Sequence, residues 1–585
     1  MKKNQKKKNS RFWFFVSIAV VAFFSLRFAA NHVRGGNFNT SFVAEAHAED
    51  VSVKSAAGPA ASASSKIGSR QKLNTPLSAR LISFFGIFVL VMISYAMSVD
   101  RKHINWRPVL WGIALQLIFG LIVLSDTVGV FFFTVVDSAV NILLSFSEEG
   151  AAFVFGKLAY GPGDIRGMQQ GMFFFFSVLP TIVFFSSLMT ILYHLGIMQA
   201  IVEQIAKVMK KTMKTSGSET LSAAANIFVG QTEAPLVIKP FIKNMTTSEL
   251  HAVMTGGFAT VAGGVMAAYV LFLKDYIPNI AGHLVTASIM SAPAALAISK
   301  IVYPQTEHSE TAGDMKICVE KPDANVIEAG ARGASEGMSL MLNVAAMLMA
   351  FVGLIAMANF GMEKFCDLTS RIVGRNPYKL VLDEAAVKNI KMGDTIILNN
   401  GIKNFEYSVK ETRVKSVIIK ERLSATYKGS NYTVLRGGKL LFRGAGIKGY
   451  KPLFFINLSI FFGIIFSPIA WAMGVPWREA IVVGRLLGEK LILTEFIAYI
   501  NLAGILKTGY QTLSGNVIML SQRSAVIASY ALCGFANFAS IGIQIGGIGG
   551  IAPNKRATLA KIGIRAMFAG AIAACMTGTV AGILM

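Results

Sequence analysis

Charge is scarce in this sequence. Only 15% of its 585 residues are Asp, Glu, Lys or Arg, where a soluble protein carries about a quarter. A chain so poor in charge cannot cover a water-facing surface of the size its length demands, and a soluble globular protein is excluded. Cysteine is scarcer still. Cys318, Cys366, Cys533 and Cys575 stand as dispersed singles, which argues against a disulfide framework. The seven histidines form no H-E-x-x-H or comparable pair, so a metal cluster has no signature here. Acidic residues number 32 against 56 basic ones, a formal net charge of +24. That excess does not mark a nucleic-acid binder, because no aromatic-basic reading motif accompanies it. It gathers instead at the N-terminus (KKNQKKKNSR), in short loops and in one block near 370–450.

What the chain has is apolar length. Hydrophobic residues make up 53% of it and the mean hydropathy is +0.54. Stretches such as LISFFGIFVLVMISYAM, VLWGIALQLIFGLIVL and MFFFFSVLPTIVFFSSLMTILY approach or exceed the roughly 20 residues a helix needs to cross about 30 Å of hydrocarbon. They lack the alternation of lipid-facing strands, so the expected fold class is an all-α integral membrane protein and not a barrel. The basic segments SVDRKHINWR and KVMKKTMKTSG are placed on the cytoplasmic side by the positive-inside rule.

Composition divides the chain. Residues 1–77 combine a Lys-rich start, an apolar run readable as a signal peptide or as an uncleaved anchor, and an Ala/Ser-rich flexible linker. A first membrane part covers 78–365. Residues 366–450, with short Val/Ile/Thr/Tyr runs and the turn signals NNG and RGG, predict a small β-rich extramembrane insertion. A second membrane part covers 451–585. Basic composition favours the cytoplasm for the insertion, whereas a second hairpin inverted relative to the first would place it outside.

Two stretches repeat each other. GQTEAPLVIKP leads to Gly257-Phe258-Ala259-Thr260, and LTEFIAYINL leads to Gly534-Phe535-Ala536-Asn537. Each holds Thr-Glu in apolar surroundings, Thr232-Glu233 and Thr494-Glu495. Paired, Gly/Pro-interrupted apolar segments point to an inverted-repeat transporter with its site at the repeat interface. The region 217–246 is too polar at its centre to span and too apolar for a solvated loop, so it predicts a re-entrant hairpin; a second is expected near 478–510. Thr232 is expected as N-cap, with Pro235 in the first turn. Unwound residues from Asn226 to Gln231 would offer carbonyl oxygens suited to a small hard cation. Gln231, Asn537 and Ser540 add neutral donors and acceptors beside Glu233 and Glu495, which suits a neutral solute rich in hydroxyl and amide groups.

At these motifs, together with MTGGFATVAGG, ASEGMSLMLNVAAMLMAFVGLIA, PIAWAMGVPWREA and CGFANFASIGIQIGGIGG, the sequence resembles the concentrative nucleoside transporter family over 78–365 and 451–585. The resemblance implies a homotrimer in a bacterial inner membrane, with a scaffold carrying a mobile unit built from two inverted hairpin repeats. It implies import of nucleosides with Na⁺ or H⁺, no enzymatic activity and no cofactor beyond the coupling ion. Gln231, Thr232 and Glu233 would face the nucleobase with Val265 alongside. Glu495, Asn537 and Ser540 would hold the ribose hydroxyls, with Phe535 against the ligand. Asn226, the Val229 carbonyl, Thr260 and the Val261 carbonyl would hold Na⁺, the favoured ion. The insertion departs from the family pattern without touching these motifs.

Other features read as architectural. GIQIGGIGG lacks a following Gly-Lys-Ser/Thr and predicts close helix packing, not a phosphate loop. The Phe runs FFF and FFFF are expected to face lipid, and His194 and His251 to sit in loops or at the interface. Two rival functions stand beside symport: a membrane-embedded hydrolase using the paired glutamates, and a passive channel for small polar solutes.

Overall fold

A computed structural model describes residues 75–124, 128–160, 174–311, 323–372, 378–382, 384–399, 404–413, 416–420, 427–449, 458–511 and 517–585. The signal-like segment and linker expected over 1–74 lie outside them. Eight described helices are long and apolar enough to cross a membrane, and a bent pair, Ile460–Ala472 with Trp477–Ile492, could supply a ninth span. The described membrane part is helical throughout its apolar runs, as a backbone out of reach of water must satisfy its own hydrogen bonds.

The peripheral helices are α1 (Leu77–Met97), α2 (Trp106–Val123), α3 (Val128–Phe155), α4 (Pro180–His194) and the amphipathic α5 (Ile197–Met213). The first hairpin follows. Its first arm is α6 (Gly217–Ala225), opened by a capping box in which Ser216 and Glu219 satisfy each other's backbone N–H groups. Its second arm is a 3₁₀ helix, Ala234–Asn244. Eleven residues is long for 3₁₀ geometry, and Pro240 gives a reason, since it removes an N–H that an α-helix would need, whereas Pro235 in the first turn removes none that would be used.

Next come α7 (Thr247–Ala259), a break at 260–262, and α8 (Gly263–Leu273). Helix α9 (Ile280–Val302), whose apolar window is 89% buried, forms the centre of the bundle. The 47-residue α10 (Val326–Ile372) lies along α4, where glycines let the two backbones close up: a Cβ at Gly333 or Gly337 would come within 2.8 Å of the α4 backbone.

The second hairpin repeats the plan of the first. After α11 (Leu458–Ala472), its arms are α12 (Trp477–Ile492) and α13 (Glu495–Thr508). Then come α14 (Gln522–Leu532), a break at 533–537, and α15 (Phe538–Ile551); α16 (Arg556–Leu584) closes the bundle against α7, α9 and α1.

Between α10 and α11 stand β1 (Lys379–Val381), β2 (Thr395–Asn399), β3 (Asn404–Arg413), β4 (Ser416–Ile419), β5 (Tyr427–Arg436) and β6 (Lys439–Gly449). They form a closed antiparallel barrel in the order β1-β4-β3-β2-β5-β6, sealed where Leu380 pairs with Gly449. Alternate residues fill it, among them Ile396, Leu398, Tyr407, Val409, Val417, Tyr432 and Val434, as period-two strands require. Arg436 forks onto Asp394 at 2.8 and 2.9 Å and holds that carboxyl below the usual carboxylate range.

Two expectations need correction. His251 lies in neither a loop nor an interface. It is fully buried on α7, its Nδ1 2.7 Å from the Ser299 hydroxyl and its ring stacked on Tyr303. Of the FFF run, Phe131 is exposed, but Phe133 is buried and packs on His283 of α9, where Gly282 leaves room for its ring.

Candidate functional site

The two helix breaks cross at one point. Gly534 has φ +142°, and a Cβ there would come within 2.8 Å of the carbonyl oxygens of both Phe258 and Ala259. Glycine is therefore needed for conformation and for space alike. Beside it the backbone N–H of Phe535 donates to the Thr260 carbonyl at 3.3 Å, tying one break to the other. Of the helices that restart after the breaks, α8 follows Ala262 without a side-chain cap, whereas α15 has one. Asn537 caps α15 by accepting from the Ser540 N–H at 2.9 Å.

Glu495 sits at the tip of the second hairpin, 4% exposed. Thr494 caps its helix by accepting from the Ile497 N–H at 3.4 Å. The carboxylate takes two donors, the Tyr269 hydroxyl at 2.9 Å and the Asn537 amide at 3.0 Å. Burying a charge without such partners would cost several kcal/mol. Tyr269 is in turn held by stacking on Tyr499, ring centroids 4.2 Å apart.

From Asn537 the hydrogen bonds continue to the first hairpin. The Gln231 amide donates to the Ser540 hydroxyl at 3.1 Å, and the Gln544 amide donates to Gln231 Oε1 at 3.0 Å and to the Met254 carbonyl at 3.2 Å. Glu495, Asn537, Ser540 and Gln231 thus form one chain of contacts across both repeats. Glu233 stands outside it. Its carboxylate is exposed and turns back to its own tip, accepting from the Gly230 N–H at 3.1 Å.

The remaining expected residues are less tightly engaged. Thr232 is half-buried against Gly547 of α15, and Glu233, not Thr232, occupies the N-cap position of the 3₁₀ arm, with no side-chain cap. Pro235 does lie in the first turn. Val265 is buried in the first turn of α8, and Phe535 is half-buried in the second break.

The cation candidates lie on unwound backbone at the first tip and the first break. Asn226 ends α6, 1% exposed, and neither its amide oxygen nor its amide nitrogen has a hydrogen-bond partner among the described residues. Val229, Thr260 and Val261 are buried in non-helical backbone. A buried amide left unpaired costs about 1–3 kcal/mol. Its neutral oxygen, with a hydroxyl and carbonyls, is a donor set that fits a hard monovalent cation.

Sequence reasoning missed Tyr269 and Gln544. Each carried a signal: a buried tyrosine must place its hydroxyl, and a lone glutamine in the apolar helix GIQIGG must place its amide.

Comparison with known proteins adds the family. The model described as "Na+ dependent nucleoside transporter C-terminus" matches residues 283–382 and 442–582, its N-terminal counterpart matches 85–158, and one described as "Nucleoside recognition" matches 175–276. The chain belongs to the concentrative, Na⁺-dependent nucleoside transporter family. The matched family model and the named relatives are described as transporters and not as enzymes, which counts against the hydrolase reading. The family match passes over 383–441, within the barrel.

Among relatives, the chain is 34% identical over 510 residues to sodium/nucleoside cotransporter 1 of Mus musculus, covering 86% of this chain and 64% of that one. It is 36% identical over 506 residues to an uncharacterized transporter of Haemophilus influenzae, covering 86% and 98%. The chain therefore spans 64% of the length of the mouse cotransporter. Among solved structures, that of CNTnw in an inward-facing substrate-bound state superposes with a TM-score of 0.65 at 33% identity, covering 86% of this chain and 98% of that one. A variant of CNTnw in an outward-facing state gives 0.67 at 32% identity, covering 87% and 98%.

Proposed function

We propose that this protein is a Na⁺-coupled nucleoside importer working by alternating access, as a homotrimer in a bacterial inner membrane. One observation carries the reading: a buried carboxylate, Glu495, is joined through Asn537 and Ser540 to Gln231 on the opposite hairpin. A neutral ligand with vicinal hydroxyls matches this array. Its hydroxyls can donate to Glu495 and accept from Ser540, while its base meets the tip carrying Gln231, Thr232 and Glu233. Among the described residues no Lys or Arg hydrogen-bonds to these groups, the neighbouring Lys490 being turned to the Ala531 carbonyl, so the fixed positive contact an anionic substrate would need is not found there. Val265 and Phe535 supply apolar surface for the faces of the ring.

The coupling ion enters as a co-substrate. Asn226 belongs to the first tip, Thr260 to the first break, and the Thr260 carbonyl is bonded to the second break. A Na⁺ drawing in the amide oxygen of Asn226, the Thr260 hydroxyl and the carbonyls of Val229 and Val261 would fix tip and breaks together. The groups that meet the nucleoside would then be correctly placed only when the ion is bound. Differential affinity of this kind is what coupling requires. H⁺ coupling would leave the unpaired Asn226 without a purpose. The names of the relatives support sodium, and they describe cotransport and not a passive channel.

The test is uptake of labelled uridine and adenosine into proteoliposomes under an imposed Na⁺ or H⁺ gradient. Accumulation driven by Na⁺ is expected, with Thr260→Ala raising the Na⁺ needed for half-maximal uptake. Uptake of no nucleoside under either gradient would sink the reading.

A further inference from the structure

The hydrogen-bond polarity of the site is set by two backbone groups. A backbone carbonyl can only accept, so the side-chain end of Gln544 that faces the Met254 oxygen at 3.2 Å must be its NH₂. The same NH₂ reaches Gln231 at 3.0 Å, so Gln231 must answer with its oxygen. The Gln231 NH₂ is left to face Ser540 at 3.1 Å. At the other end, the Ser540 backbone N–H can only donate, which turns the Asn537 oxygen toward it and the Asn537 NH₂ toward Glu495. Neither Gln544 nor Asn537 can flip without opposing two like groups, and Gln231 cannot flip without turning its NH₂ onto that of Gln544, although the Ser540 hydroxyl could face either end of it.

This order leaves Gln544 worse off than its neighbours. Its Oε1 is buried without a hydrogen-bond partner among the described residues, although the side chain is fully buried. Such an acceptor weakens the fold, so stability does not account for the residue. Space is reserved for it nonetheless: a Cβ on Gly257 would come within 2.8 Å of the Gln544 nitrogen and 2.9 Å of the Gln231 Cβ.

We propose that Gln544 is a specificity-determining positioning residue, which acts through Gln231 by holding its amide so that a free N–H faces the nucleobase. The inference rests on the nucleoside-import reading. With the ribose anchored at Glu495, three contacts along the chain from Gln231, this N–H is set against the base edge remote from that anchor. That edge must carry an acceptor. A 4-oxo pyrimidine offers one there and a 4-amino pyrimidine offers a donor instead, so uridine is favoured over cytidine by about tenfold, the value of one matched against one mismatched hydrogen bond.

The experiment compares uridine and cytidine KM for Na⁺-driven uptake in proteoliposomes of the full chain. The variants are Gln544→Met, Gln544→Glu and Gln231→Ala with and without Gln544→Met. Gln544→Met frees the Gln231 amide to rotate, and the uridine preference should fall toward unity. Gln544→Glu, neutral when buried, gives its one O–H to Met254 and leaves an acceptor for Gln231, which must turn over. The preference should then move toward cytidine. In the Gln231→Ala background Gln544→Met should leave the ratio unchanged. A structural role alone would lower uptake of both nucleosides together.

A wild-type ratio near one, or a ratio unmoved in both single variants while uptake persists, overturns the proposal and leaves the import reading standing. Should Gln544→Met fail to insert, Gln544→Glu and Gln231→Ala decide by the same ratio. If the wild type takes up no nucleoside at all, the import reading fails first and this proposal with it.

Discussion

The two hairpins are built on one plan and end differently. In the second, a regular α-helix begins at Glu495, Thr494 caps it, and the carboxylate is buried between Tyr269 and Asn537. In the first, the arm after Glu233 is a 3₁₀ helix carrying two prolines, no side chain caps it, and the carboxylate is exposed, bonded within its own tip. The cause lies in the sequence after the shared Thr-Glu: APLVIKP against FIAYINL. Pro240, at the seventh position of the first arm, interrupts the N–H ladder that the second arm forms, while Pro235 stands in the first turn, where no N–H is needed. One repeat thus carries a carboxylate fixed by two side-chain donors from other helices, and the other a carboxylate held by a single backbone N–H of its own tip. A charge held ready by fixed donors contributes most to recognition.

The comparison predicts unequal effects for equal substitutions. Glu495→Gln should be the most severe. The carboxylate accepts from Tyr269 and Asn537 at once; an amide can still accept from Asn537 but must turn the Tyr269 hydroxyl round into an acceptor, and neither bond is then charge-assisted. Losing charge-assisted bonds worth about 1.5–3 kcal/mol each should cut uptake kcat/KM about 100-fold while the protein still inserts, as checked by proteoliposome uptake beside a gel-filtration profile. Uptake within about threefold of wild type would break the comparison. Tyr269→Phe comes next. It keeps the stack on Tyr499 but withdraws one donor from Glu495, so the nucleoside KM should rise about tenfold with the melting temperature little changed.

Glu233→Gln should be milder still, because glutamine can accept from the Gly230 N–H as glutamate does. A few-fold rise in KM is expected. A loss as deep as that of Glu495→Gln would show that the exposed carboxylate engages the ligand as firmly as the buried one, and the asymmetry of the tips would then have no functional meaning.

These contrasts also mark what could be read in advance. The apolar runs, the β-rich insertion and the repeat were legible because each rests on local periodicity or on matching motifs. Glu495, Asn537, Ser540 and Gln231 were legible because polar groups in apolar helices need a reason. Tyr269 was not, since its role depends on α8 passing the second hairpin, 226 positions away in the chain. Gln544 was hidden in a glycine-rich run that packs closely only in part: Gly547 lies against Thr232 and Gly549 against Arg556, while Gly542, Gly546 and Gly550 face open space. His251 and Phe133 were misplaced because burial is decided by the neighbouring helix, and their own segments look like any other. Closure of the barrel through Leu380 and Gly449 is likewise a long-range pairing with no local sign.

Thr232 was misplaced for a physical reason that gives the finest test of the comparison. A threonine caps a helix when its own backbone is extended and its oxygen faces the N–H two or three residues on. Thr494 meets both conditions, with φ −154° and ψ 156° and the Ile497 N–H at 3.4 Å. At the first tip the cap position falls on Glu233, whose backbone is already helical at φ −89° and ψ −42°, so the Thr232 oxygen has no helix end to serve. Thr494→Val should therefore lower stability by about 0.5–1 kcal/mol, the low end for a lost cap because the bond is long. Thr232→Val should leave stability unchanged. Both are read as thermal midpoints of the purified, detergent-solubilised protein without substrate, so that any contact of Thr232 with a ligand does not enter. Equal losses would mean that the first tip hides a cap of its own, and that the two hairpins differ less than their prolines suggest.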